Sequence, residues 1–211
     1  MTKDKHDGQL GAVYSARDTA EIASIYDSWA DSYEGEMARA GYRHPSIGAA
    51  LMARHLPIGA APILDAGAGT GLLGEWLQIL GYPVIEALDI SQGMLKIARA
   101  KGVYSAFHCL ALGGTLPFAS GAYQGIISTG VFTTGHVGPE AIDELIRICR
   151  PGGVIVLTVK DMVWQAGFAS RIGALIKARR LTLLEETPPY ISMPGEAGTS
   201  PSRALALEVR P

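Results

Sequence analysis

From residue 61 onward, short apolar runs alternate with amphipathic ones. "PILDAG" predicts a short strand closed by glycine, and "GLLGEWLQILG" a helix stopped at Gly81. "PVIEALD" predicts a strand, and "SQGMLKIARAKG" a helix that Ser91 caps. "YSAFHCL" and "YQGIISTG" follow as strands. "GPEAIDELIRICRPGG" reads as a helix with Pro139 early and glycines as its stop. "GVIVLTVK" is a fully apolar strand, and another helix begins near Val163. "LTLLEETPPY" and "RALALEVR" close the chain as a strand pair. Strands alternating with helices imply a parallel sheet covered on both faces. Two strands joined without a helix are antiparallel. The expected fold class is α/β: a doubly wound, mostly parallel sheet ending in an antiparallel strand.

The first sixty residues follow a different pattern. Residues 1–17 are polar and read as a flexible tail. "DTAEIASIYDSWADSYEGEM" places Ile22, Ile25, Tyr26, Trp29, Tyr33 and Met37 at helical spacing. "HPSIGAALMARHL" reads as a second helix with Pro45 in its first turn. Residues 18–57 thus form a helical lid ahead of a core at 58–211, one domain overall. Asp27 and Asp31 sit one turn apart and read as the solvated face of their helix.

Composition narrows the functions. The chain has 211 residues, 48% of them hydrophobic, 18% charged, and a net charge of −2. That balance speaks against nucleic acid as a partner, for which a basic face is the usual footprint. The N-terminus lacks a signal-peptide core, and the longest apolar run is far short of a membrane span. The cysteines Cys109 and Cys149 fit neither a disulfide framework nor zinc spacing and read as core residues. A cytoplasmic setting, a monomer or weak dimer, and no membrane partner are expected. No metal is expected either, since the histidines show no ligand spacing.

Between the first strand and its helix lie Gly67, Gly69, Gly71 and Gly74. A glycine turn here lets a ligand touch backbone at a helix N-terminus. Two frames compete. Gly69, Gly71 and Gly74 fit G-x-G-x-x-G, the dinucleotide pattern of an NAD-dependent oxidoreductase. Gly67, Gly69 and Gly71 fit G-x-G-x-G directly after Asp65. A carboxylate there repels a pyrophosphate and attracts an ammonium.

"LDAGAGTG" resembles motif I of the class I S-adenosylmethionine-dependent methyltransferases. The resemblance implies a seven-stranded Rossmann-like fold and S-adenosylmethionine as cofactor, with S-adenosylhomocysteine as product. It carries Asp65, Ala66, Gly67, Ala68, Gly69, Thr70 and Gly71 over as the loop beside the methionine portion. In "ALDISQGML", Asp89 corresponds to the acid that accepts the ribose hydroxyls, with Ile90 and Ser91 beside it and Met94 against the adenine. "LPF" at Leu116 and "RPGG" at Arg150 are further landmarks of that family. "YDSWADSYE" and "GVFTTGHVGPEAIDELIRICRPGG" are similar to the methyltransferase-like protein group of the Williams–Beuren region.

The sequence departs from the family where an acid usually meets the adenine amino group. "HCLALGG" puts Ala111 there, leaving the backbone of Leu110, Ala111 and Leu112 to hold the base. Losing one charge-assisted hydrogen bond, about 1.5–3 kcal/mol, implies weaker cofactor binding. A non-catalytic cofactor-binding or partner-binding protein therefore stays open as an alternative. Tyr26, Trp29 and Tyr33 offer aromatic faces to a sulfonium, or form the core stripe of their helix. Thr129 and Gly130 end the fourth strand, where open parallel sheets bind ligands. His136 is the candidate general base, since its pKa lies near neutrality, or else it packs before the next helix. The basic cluster Lys177, Arg179 and Arg180 reads as a helix end that suits the helix dipole. The expected acceptor of the methyl group is a small molecule.

Overall fold

The computed structural model describes residues 8–133 and 137–211. Its sheet has seven strands in the order β3-β2-β1-β4-β5-β7-β6. They are β1 (Ile63–Ala66), β2 (Ile85–Asp89), β3 (Ala106–Cys109), β4 (Tyr123–Phe132), β5 (Cys149–Lys160), β6 (Leu181–Glu186) and β7 (Ser202–Val209). The strands from β3 to β5 pair in parallel; β7 inserts between β5 and β6 and runs antiparallel to both. The expected strand pair is thus present, with the last strand of the chain inside the sheet and β6 on its edge. Chain order reverses between β1 and β4, which places the ligand crevice at their carboxyl ends.

Buried strands need apolar residues on both faces, and successive residues here serve opposite ones. Leu64, Ile126, Ile155 and Leu205 join one core, covered by α6 (Ala141–Ile148) and α8 (Ala169–Lys177). Ile63, Ile127, Val156 and Ala206 join the other, covered by α3 (His44–His55), α4 (Leu72–Ile79) and α5 (Gln92–Ala100). Ahead of α8 run α7 (Asp161–Val163) and a π turn, Trp164–Phe168, so the helix expected near Val163 begins at Asp161.

Two boundaries differ from the sequence reading. Residues 8–17 are not a tail: α1 (Gly8–Ser15) buries Val13 against Trp29 and Met37 of α2 (Thr19–Ala40). The helix that ends in "RPGG" stops earlier, at Ile148, and Cys149 already belongs to β5.

α2 is fixed at both ends. Asp18 caps its N-terminus by accepting from the Glu21 N–H, while Glu21 accepts from the Arg17 N–H. Gly41 closes it at φ +68°, with the Gly41 and Tyr42 N–H groups donating to the Ala38 and Met37 carbonyls. Against the sheet it is held by Asp27. Asp27 Oδ1 accepts from Ser91 Oγ at 2.6 Å and from the Gly93 N–H at 2.7 Å. Asp27 is exposed, as expected of a solvated face, and it also joins the lid to the start of α5. Lys101 adds a second link, in ion pairs with Glu34 of α2 at 2.8 Å and with Glu75 of α4.

Candidate functional site

The crevice at the ends of β1 and β4 contains about 750 Å3 of unfilled space, counted to its open mouth. Gly67 and Gly69 form one wall, and Asp89, Ile90 and Met94 the next. Leu110, Ala111 and Leu112 follow, then Thr129 and Gly130; Tyr26 and Tyr33 of α2 complete the enclosure.

The four glycines of the loop do different work. A Cβ on Gly67 would come within 2.1 Å of Val131 Cγ2, so its bareness admits β4. Gly71 and Gly74 make room for Tyr104, whose ring would lie 3.0 and 2.3 Å from the added carbons. Gly69 alone of the four, at φ +54°, would point a Cβ into open space. It is thus the glycine of this loop whose exposed backbone faces ligand-sized room.

Asp65 lies behind the loop and is absent from the cavity wall. Tyr104 Oη donates to its Oδ2 at 2.7 Å, and Oδ1 has no hydrogen-bond partner among the described residues. Burial pushes its carboxyl up to about 7, against the opposing hydrogen bond from Tyr104. The expectation that Asp65 directly lines the site is corrected: β1 turns this side chain toward Tyr104 and away from the opening. Ala66, Ala68, Thr70 and Gly71 are buried behind the loop in the same way. Ser91 also leaves the wall. Its hydroxyl accepts from the Met94 N–H and donates to Asp27, so it caps α5 as expected.

Asp89 ends β2 at the cavity. Oδ2 accepts from the Gly69 N–H at 2.8 Å and Oδ1 from the Ser91 N–H at 2.9 Å. Burial raises its carboxyl above the usual range, and these backbone donors oppose the rise. Each carboxylate oxygen has a second lone pair for a ligand hydroxyl. Trp29 is a second correction: it is 2% exposed, sits edge-on to Tyr33 at 4.9 Å, and does not line this cavity. Burial raises the phenols of Tyr26 and Tyr33 well above their ordinary range, so both rings are neutral at physiological pH.

His136 falls in residues 134–136, outside the described residues. Cys149 is buried, whereas Cys109 is exposed at the end of β3, against the expectation of a core residue. Among the described residues, no group of His, Cys, Asp or Glu is arranged to hold a metal ion, and no helix is long and apolar enough to cross a membrane. Several wall residues escaped the sequence reading. Ile22 sits one turn before Tyr26, and its place in the stripe of α2 was the available signal. Tyr42 carried no signal; it enters because the chain turns back at Gly41.

The strand order, the reversed β7 and the glycine loop facing Asp89 define the class I Rossmann-like methyltransferase fold. Residues 64–157 match the family described as "Methyltransferase domain". Methyltransferase-like protein 27 of Homo sapiens is 33% identical over 155 residues, 72% of this chain and 63% of that protein. Malonyl-[acyl-carrier protein] O-methyltransferase of Serratia marcescens is 32% identical over 149 residues, 68% of this chain and 55% of that protein. The chain thus spans less than two thirds of the length of both relatives. Among solved structures, the [4+2]-cyclase SpnF shares the fold with a TM-score of 0.68 at 16% identity, covering 92% of this chain and 98% of that one.

Proposed function

We propose that the protein is an S-adenosylmethionine-dependent methyltransferase acting on a small molecule. The observation that carries the reading is Gly69: bare backbone facing open space, joined by its N–H to the Asp89 carboxylate. The residues present fit the cofactor. Asp89 would accept from the ribose hydroxyls, Met94 and Ile90 would flank the adenine, and the backbone at Leu110 to Leu112 would meet its edge. When bound, S-adenosylmethionine supplies an electrophilic methyl group on a sulfonium sulfur.

The chain's own residues then position and desolvate. Tyr26 and Tyr33 bring neutral π faces to the cavity, which attract a cation and hold water out. Thr129 and Gly130 shape the floor where an acceptor approaches. His136, which follows β4 in sequence, is the residue we assign to proton removal. A small-molecule acceptor accords with one relative, named for demethylmenaquinone, while another is named for malonyl-[acyl-carrier protein]. Fold alone does not choose the chemistry, as the cyclase neighbour shows. The test is incubation with methyl-tritiated donor and a panel of small metabolites. Tritium in a product that depends on the protein supports the reading; cofactor binding with no transfer to any acceptor favours a non-catalytic binding protein.

A further inference from the structure

Leu110, Ala111 and Leu112 of the crevice wall open the segment that joins β3 to β4. One side of that wall is tied to β2: the Leu110 N–H donates to the Asp89 carbonyl at 3.0 Å. Just past the wall stand Gly113, at φ +104°, and Gly114, and a Cβ on either would meet open space. Two glycines facing open space leave the chain many conformations to choose among. The position of the wall therefore depends on what holds the segment beyond them.

That hold comes from α6. Glu144 Oε1 accepts from the Leu116 N–H at 2.6 Å, and Arg147 Nη2 donates to the Leu116 carbonyl at 3.0 Å. Both backbone groups of one residue are thus taken by side chains one turn apart on the same helix. Arg147 Nη1 donates to the Phe118 carbonyl at 2.9 Å and to Ser120 Oγ at 3.3 Å. The Arg147 carbonyl accepts from the Gly121 N–H at 2.9 Å. Arg147 Nε and Nη2 also donate to the Glu144 carboxylate, at 2.8 and 2.5 Å. Those bonds hold the Glu144 carboxyl below the usual carboxylate range, so the pair stays charged at neutral pH. The Leu116 side chain is buried, and Phe118 lies edge-on to His108 of β3 at 4.8 Å and to Tyr123 of β4 at 5.3 Å. A planar guanidinium fork serves these several acceptors at once, which a lysine ammonium does not reproduce.

We propose that Arg147, with Glu144, is a positioning residue for recognition of the donor's base: by clamping Leu116 to Ser120 it sets the backbone at Leu110 to Leu112 against the edge of adenine. The alanine at 111, where an acid would otherwise meet the amino group, is what gives backbone placement this weight. Adenine presents an amino donor beside a ring-nitrogen acceptor. Hypoxanthine presents a carbonyl acceptor beside a ring N–H donor. Backbone groups placed for the first edge meet the second with like facing like. Neither Glu144 nor Arg147 lines the crevice, so both act through the loop. The inference rests on reading the crevice as the methyl-donor site.

The experiment is calorimetric titration of the full chain with S-adenosylhomocysteine and with S-inosylhomocysteine, on the wild type and on Arg147→Met. The wild type is expected to bind the adenosyl compound at least about tenfold more tightly. Arg147→Met is expected to cut that preference to about threefold or less. Arg147→Lys, which keeps the charge without the fork, is expected to fall between them. Should Arg147→Met fail to fold, the lysine variant carries the comparison. Asp143→Asn, on the same helix but in an ion pair with Arg171 of α8, is expected to keep the wild-type preference. Weaker binding of both compounds at an unchanged ratio is the mark of a merely structural role and overturns the proposal. Equal binding of the two by the wild type, or an equal fall in preference in Asp143→Asn, overturns it as well. A wild type that binds neither compound overturns the donor-site reading itself.

Discussion

Aspartate in place of Ala111 would put a carboxylate on the wall between Leu110 and Leu112. The account expects Ala111→Asp to tighten S-adenosylhomocysteine binding about tenfold, through one charge-assisted hydrogen bond to the base of about 1.5–3 kcal/mol. Equal affinities in a calorimetric comparison would contradict that placement of the adenine. Asp65 gives a prediction of a different kind. Its carboxyl stands at about 7 in the folded protein against an ordinary 3.8. The folded state therefore holds this proton more tightly than the unfolded one. Its contribution is fully present below the ordinary value and is lost as pH rises toward 7. Urea unfolding at a series of pH values should show Asp65→Asn flattening that fall; parallel profiles would remove Asp65 as its source. At this scale the sequence was legible in part. Gly69 and Asp89 both line the crevice. Gly67, Gly71 and Gly74 look the same in sequence, but they admit Val131 and Tyr104, contacts that no local pattern carries.

Among the elements, the join between α2 and α5 decides whether the lid covers the crevice. Asp27→Ala removes the acceptor for both Ser91 Oγ and the Gly93 N–H. A loss of about 1–3 kcal/mol is expected, with faster hydrogen exchange along α2 than in the strands. Uniform exchange changes would contradict a local join. Gly93→Ala attacks the same contact sterically, since its Cβ would lie 2.9 Å from Asp27 Cα. The strands and most helices could be read from periodicity, because a strand buried on both faces must be apolar throughout. α1 could not. "GQLGAVYS" has two glycines and a weak stripe, and its Val13 is buried only because α2 supplies the surface. Asp27 is exposed as read, but its contact with the start of α5 was opaque, because the partner N–H lies 66 residues away.

On the scale of the whole molecule, the crevice has a smaller second chamber behind Tyr26, Tyr33 and Tyr42, which draws on different parts of the chain. α1 supplies Leu10 and Tyr14 to the second chamber and no residue to the first. Deleting residues 1–17 should therefore leave S-adenosylhomocysteine binding within severalfold; a larger loss in a calorimetric comparison would mean that the two spaces act as one. The central claim is that the space between Gly69 and Asp89 receives the methyl donor. Calorimetric titration of S-adenosylhomocysteine into the wild type and into Asp89→Ala tests it most directly. Micromolar binding by the wild type is expected, weakened at least about tenfold in the variant. No heat from the wild type, or the same affinity in both proteins, would contradict it.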